Sequence, residues 1–428
     1  MNVVLTLFWV WCTFGFISQE IAPFLLGAKS GFFFIIDVVI FFIGLIVLKD
    51  KWDKVYVYSF LILGFFITCV HNGCNSFFYF NGLREFVYLL WIIPILRYIY
   101  DSKWGDVFVR KFDTSLFVFL IIQAICVTFQ FLKYGANDHG GGSMGNGFSG
   151  IVSMLIYLFS FYLMKKRMDP DNILGSLIEN KWLVFLLFPT FLNETKISFI
   201  FLAFYFMLLF PFNIKSLVKI LLMIPVMFVM LILVFNVYMS ATQSNHNILN
   251  SDFLEAYLYA EEDDEIVEWV SVLQERGEDF VGDGTFDIPR FTKYLMISEL
   301  NEYYPGHTIT GYGIGQFKGG TSIENTKFYK DNEWLLRGSI PYGYHAYIQA
   351  GFVAVVFFLL FWVRLQSLKL VNGKFEYEII VYIIIMTLVV MLYNDFFRYG
   401  LLSIPFFYVY SQALRWGQNS EVKTIETK

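Results

Sequence analysis

The residues of this chain best suited to chemistry are a few cations and one histidine, each placed where polar sequence meets apolar sequence. Arg84 opens an apolar run, and Lys196 closes the Asn193-Glu194-Thr195-Lys196 turn between two others. Arg290 and Arg337 lie in a long polar connection, and His345 stands where that connection turns apolar again. Guanidinium forks match phosphate oxygens bidentately and an ammonium supplies a point charge, so cations on one face suit a ligand that carries phosphate at a bilayer surface. Histidine, with a reference pKa of ~6.5, suits proton transfer near neutrality. The competing reading is plainer: each cation reaches to lipid headgroups, and His345 is a satisfied interfacial side chain.

Other motifs carry less. Gly311-Tyr312-Gly313-Ile314-Gly315 resembles a phosphate-binding glycine loop only superficially, because it follows no strand of a βαβ unit and has no lysine placed as in a P-loop. Its glycines, Gly311, Gly313 and Gly315, are expected to shape a loop. The acidic run at 261–265 reads as a solvated helix face, since it lacks the spaced oxygen ligands and glycine turn of a calcium site. No HExxH, GxSxG or CxxC array is read as functional, so hydrolytic or metal chemistry of the familiar kinds has no support, and no metal or other cofactor is expected. Cys69 and Cys74 either pair or stay two ordinary thiols.

The elements that must position these groups are membrane helices. The 428 residues are 57% apolar, 21% aromatic and only 16% charged, which does not describe a soluble surface. The apolar residues come in continuous runs with no period of two, so helices are expected and a barrel is not. The reading is an all-α integral membrane protein of about twelve spans. They are placed near 2–18, 31–48, 55–70, 83–100, 113–133, 148–164, 174–193, 196–211, 216–239, 344–364, 377–393 and 397–415. The first is taken as a span and not a cleavable signal, for it has no basic n-region and no small-residue cleavage site. Alternate connections hold the basic clusters, among them Lys49, Lys51 and Lys54, then Lys165, Lys166 and Arg167, then Arg364, Lys369 and Lys374. The others hold little beyond Lys29, Arg84, Lys133, Lys196 and Arg398, so both termini are expected in the cytoplasm.

One connection is far longer than a spacer requires. The chain divides into membrane helices over 1–239, an extracytoplasmic loop domain over 240–342 between the ninth and tenth helices, and the last three helices with a cytoplasmic tail over 343–428. Residues 252–278 of the loop read as an amphipathic helix, and its second part, rich in glycine and holding Pro289 and Pro305, as a packed irregular segment. Nothing suggests a nucleic-acid partner.

Three features in order resemble the bacterial O-antigen polymerase and ligase superfamily (Wzy and WaaL types). They are a long outer loop late in the chain, an arginine followed by a GxGxG-F element, and a histidine entering the next span. Here they read Arg290, then Gly311-Tyr312-Gly313-Ile314-Gly315-Gln316-Phe317, then His345-Ala346-Tyr347-Ile348-Gln349-Ala350-Gly351. The turn His139-Gly140-Gly141-Gly142-Ser143-Met144-Gly145-Asn146-Gly147 is similar to one these proteins carry before a mid-chain helix. Glu194-Thr195-Lys196-Ile197-Ser198 is similar to their helix start, with lysine in the place of arginine.

The resemblance implies a repeat-unit polymerase in the bacterial inner membrane. It would join polyprenyl-diphosphate-linked oligosaccharides, donor and acceptor alike, into a surface polysaccharide by inverting glycosyl transfer on the outer face. His345 would be the general base, and Arg290, Lys196, Arg337 and Arg84 would hold the diphosphate. A chain-length-regulating membrane protein is an implied partner. A ligase that passes glycan to a lipid core is the alternative within the superfamily, and a flippase for lipid-linked oligosaccharide is the alternative outside it.

Overall fold

The computed structural model describes residues 2–135, 140–170, 172–193, 197–210, 307–316, 340–369 and 375–416, with residues 290, 293, 294, 297, 298, 301, 329 and 330. Among these every regular element is helical. Helix α1 (Asn2–Phe16) runs into a π turn, and α2 (Lys29–Val47) follows. Helix α3 (Lys51–Phe65), started by an Asp50 cap on the Asp53 N–H, ends in a second π turn, Phe66–His71. Then come α4 (Ser76–Leu83), a 3-10 turn (Arg84–Phe86), α5 (Val87–Asp101), α6 (Gly105–Tyr134) and α7 (Ser149–Arg167). Three short helices, α8 (Ile173–Glu179), α9 (Lys181–Phe185) and α10 (Pro189–Leu192), lead to α11 (Ile197–Leu209). Helices α12 (His307–Thr310), α13 (Tyr342–Leu365), α14 (Tyr377–Tyr393) and α15 (Gly400–Leu414) complete the order.

Four described helical stretches are long and apolar enough to cross a membrane, at 3–21, 51–71, 105–134 and 342–368; a bent pair over 173–192 makes five. The expected span at 174–193 takes the form of this bent pair, with a bend of 72°. The Asn180 side chain donates to the Ser176 carbonyl and stops α8, and Pro189 starts α10 afresh. The ninth expected span at 216–239, the amphipathic helix at 252–278 and the tail lie outside the described residues.

Packing is turned outward in the way lipid permits. Helix α7 is buried on every side from Ile151 to Lys165, and α15 along its whole length, with α5 beside it. The periphery shows large apolar side chains, including Ile46 of α2, Ile62 of α3, Leu132 of α6 and Val363 of α13, which are between 67 and 79% exposed. Two hydroxyls at the centre are bonded inside: Ser160 donates to the Leu183 carbonyl at 2.9 Å, and Tyr382 to that of Phe201 at 3.0 Å. The described residues form a helical bundle with four or five stretches long and apolar enough to cross a membrane.

The contacts also sort the connections into two ends. At one end Arg364 meets Asp50 and Asp53, Arg97 meets Asp53, Lys165 meets Glu376 and Lys166 meets Asp113. These are connections expected to be cytoplasmic. At the other end Lys133 pairs with Glu20, the Ile314 N–H donates to Thr68, and the Tyr342 N–H donates to the Asn394 carbonyl. The candidate site lies at this second end.

Candidate functional site

His345 sits in the first turn of α13, which begins at the extended Pro341 and is pulled onto the end of α14. The Tyr342 N–H donates to the Asn394 carbonyl at 2.9 Å, and Gly343 lies so close that a Cβ there would stand 2.7 Å from the Met391 carbonyl oxygen. The imidazole is 4% exposed. Its Nε2 lies 2.5 Å from Oε2 of Glu85, a residue of the 3-10 turn before α5 that is itself 5% exposed.

The carboxylate of Glu85 is held from two more directions. Arg398, between α14 and α15, donates to Oε1 from both Nε (3.1 Å) and a terminal nitrogen (2.9 Å). Gln349, one turn along α13 from His345, places Nε2 3.2 Å from Oε2 and 2.5 Å from the imidazole Nε2. The orientation of that amide is set from behind, because its Oε1 accepts the Gly315 N–H at 2.8 Å. The amide therefore turns an N–H toward Glu85 Oε2, and its approach to the imidazole Nε2 is a close contact and not a hydrogen bond once that nitrogen carries a proton. A guanidinium on Oε1 favours an ionised Glu85, so the shared proton belongs to His345 Nε2. A carboxylate that orients an imidazole through one ring nitrogen is an arrangement compatible with general-base chemistry.

Asp395 and Tyr399 extend the cluster. Asp395 accepts from Arg398 at 3.3 Å and from the Tyr399 hydroxyl at 3.4 Å. Although 27% of its side chain is accessible, the protein packed around Asp395 lifts its carboxyl above the usual carboxylate range, with the charges of Arg398 and His345 pulling it down.

The glycine loop is built onto α13. At Gly351 (φ 58°, ψ −146°) the helix is broken, and the carbonyls of Ile348 and Gln349 accept from the N–H groups of Tyr312 (2.8 Å) and Gly313 (2.9 Å). The loop glycines all have positive φ; a Cβ at Gly311 would be 2.5 Å from the Ala350 nitrogen, and one at Gly315 1.8 Å from the Phe78 carbonyl oxygen. The loop-shaping role read for Gly311, Gly313 and Gly315 has this physical form.

Two of the expected cations, Arg84 and Arg290, are described, and they have different partners. Arg84 pairs with Asp37 of α2 at 2.8 Å and lies over the Phe34 ring, so the residue of this turn that reaches His345 is its neighbour Glu85. Arg290 stacks over the Tyr393 ring, 3.9 Å from its centroid, beside the junction that carries Asp395 and Arg398. Lys196 and Arg337 lie outside the described residues. Sequence reasoning missed Glu85 and Gln349 as site residues and counted Arg398 only as a charge outside. The available signal for Glu85 was a lone carboxylate at the head of an apolar run, where burial needs a partner.

A second pattern needs correction. Gly141-Gly142-Ser143-Met144-Gly145 matches the GxSxG of nucleophilic serine enzymes. It stands between two helices, with no preceding strand, and Ser143 is 2% exposed with its hydroxyl accepting from Gln123 Nε2 at 2.6 Å. That geometry is packing. Among the described residues no three His, Cys, Asp or Glu side chains are grouped as a metal site needs, and the cysteines, Cys69 and Cys74 included, are free thiols. No protein-family model, curated protein or solved structure matches the chain.

Proposed function

We propose that this chain is a membrane-embedded glycosyltransferase that polymerises polyprenyl-diphosphate-linked oligosaccharide repeats, with about twelve spans and its long 240–342 connection outside the cytoplasm. The observation that carries the reading is the buried His345–Glu85–Arg398 relay at the end of the bundle where the cation-poor connections meet. In this reading an acceptor hydroxyl gives its proton to His345 Nδ1 as its oxygen bonds to the anomeric carbon of the donor. The bond from that carbon to the diphosphate breaks, and the diphosphate leaves with the electron pair. Glu85 stabilises the imidazolium that forms, and Arg398 keeps Glu85 ionised. Arg290, Lys196 and Arg337 are the cations assigned to the departing diphosphate, since a charged leaving group is the part of this reaction most in need of a counter-charge. Arg84, already paired with Asp37, is assigned to that group less directly.

The test is glycan analysis of a deletion strain complemented with the wild-type chain or with His345→Ala at matched membrane levels. A general base contributes ~10²- to 10⁴-fold in rate, so His345→Ala should accumulate normally and lose long glycan. Single repeats on the core support a polymerase. Lost attachment would show a ligase, lost export a flippase, and full-length polymer from the variant would make His345 structural.

A further inference from the structure

We infer that Gln349 is a positioning residue that transmits the seating of the glycine loop to the His345–Glu85 pair. The inference rests on the role proposed above for His345, and its test reads the pair directly.

Gln349 is 1% exposed and touches the loop with one end of its amide and the charged pair with the other. A side-chain amide presents an acceptor and a donor face, and turning it over exchanges them. Here one backbone group decides the orientation. The Gly315 N–H can only donate, so it requires Oε1, and the N–H groups must then face Glu85 Oε2. Were the amide reversed, its N–H groups would oppose the Gly315 N–H, and its oxygen would compete with Glu85 for the proton on His345 Nε2. The seated loop therefore selects the orientation in which Glu85 is held on both oxygens, by Arg398 at Oε1 and by Gln349 at Oε2.

The loop's own position is tightly determined. The break at Gly351 frees two α13 carbonyls for Tyr312 and Gly313, and Thr68 accepts the Ile314 N–H at 2.8 Å. Gly82 of α4 lies against Gly315, where a Cβ would come within 2.3 Å of the loop's Cα. A buried amide serving only to fill space would be equalled by methionine. This one satisfies a buried N–H on one side and a buried carboxylate on the other, and losing either contact leaves a costly orphan. The charged groups near His345 include Glu85 ahead of α5 and Asp395 and Arg398 between α14 and α15, and Gln349 is a neutral link between Glu85 and the loop.

The experiment is proton NMR of the full-length protein in lipid nanodiscs, following the downfield resonance of the His345 Nε2–H, assigned by its loss in His345→Ala. Gln349→Met should move it upfield, and so should Thr68→Val, a near-isosteric change that loosens the loop without touching either member of the pair. In transfer assays with a lipid-linked repeat, both should lower kcat more than they raise KM, Gln349→Met by ~10- to 100-fold, since small misplacements of a catalytic group act at this scale. An unmoved resonance in Gln349→Met overturns the role of Gln349. Movement there without movement in Thr68→Val overturns the link to the loop. Should the wild type transfer no glycan, the resonance still decides this inference, and the proposed function fails by itself.

Discussion

The loop at 140–147 and the loop at 311–315 are fastened to the bundle by the same means. Each lays glycine backbone against a helix glycine: a Cβ at Gly15 of α1 would stand 1.7 Å from the Met144 carbonyl oxygen, and one at Gly82 of α4 would stand 2.3 Å from Gly315. Each is also held by buried glutamine amides. In the first loop Gln123 accepts the Ser143 N–H and donates to the Ser143 hydroxyl, while Gln130 accepts the Gly142 N–H and donates to the Gly142 carbonyl. Both ends of those amides return to one loop, and the bonding closes there. In the second loop Gln349 takes the Gly315 N–H at one end and passes the other to Glu85. A glutamine clamp is thus structural or functional according to where its second end goes, which a motif does not reveal.

The largest expected effect comes from crowding both loops. Gly15→Ala and Gly82→Ala each drive a methyl into backbone, and overpacking of this kind costs ~1–3 kcal/mol or more. Melting followed by fluorescence-detected size exclusion should fall in both. The two should separate in transfer activity per folded molecule, which is kept in Gly15→Ala and reduced in Gly82→Ala, because the second displaces Gly315 from Gln349. Equal activity per folded molecule would remove the distinction between the loops.

Much of this architecture is legible in the chain, for reasons that also mark the boundary. Continuous apolar runs require helices in lipid, and the basic clusters in alternate connections correspond to the two ends that the contacts assemble. His345 and the three glycines are legible as well, being rare types at a polar–apolar border. Partnership is not legible. Neighbouring residues of a 3-10 turn point ~120° apart, so Arg84 and Glu85 serve different helices, the arginine α2 and the glutamate α13. Charge alone made Arg84 the more attractive of the two. Gln349 lies inside the histidine motif, yet its role depends on a loop more than thirty positions earlier, and a neutral amide shows no charge to notice. The break in the 174–193 stretch falls at Asn180, and mean hydropathy over a window smooths a single polar residue away.

A smaller effect is expected from opening the first clamp alone. Gln123→Met or Gln130→Met leaves a buried loop N–H without its acceptor, a loss of ~1–3 kcal/mol each by the usual cost of such groups. Both variants should melt earlier than the wild type and transfer glycan at an unchanged rate per folded molecule. A rate lowered as far as in Gln349→Met would mean that the 140–147 loop also feeds the site, contrary to the closed bonding seen there.

The smallest effect is expected at the rims, where each loop keeps one contact near solvent. Gln19 accepts the exposed Asn146 N–H at 2.7 Å, and Asn72 donates to the Gly311 carbonyl at 3.4 Å while making its shorter bond, 2.9 Å, to Ile67 within its own turn. Water replaces an exposed partner at little cost, and substitutions of this kind stay within about 0.5 kcal/mol. Gln19→Ala and Asn72→Ala should therefore leave melting and transfer close to the wild type. Asn72 is the informative member, because it touches the functional loop at Gly311, the end opposite to Gly315. The glycine contacts and the Thr68 bond already fix that loop, so a weak rim bond adds little to its seating. A normal His345 resonance in Asn72→Ala would place the control of Gln349 in those buried contacts. A resonance moved as far as in Thr68→Val would place it partly at the rim, where a molecule bound outside has access to it.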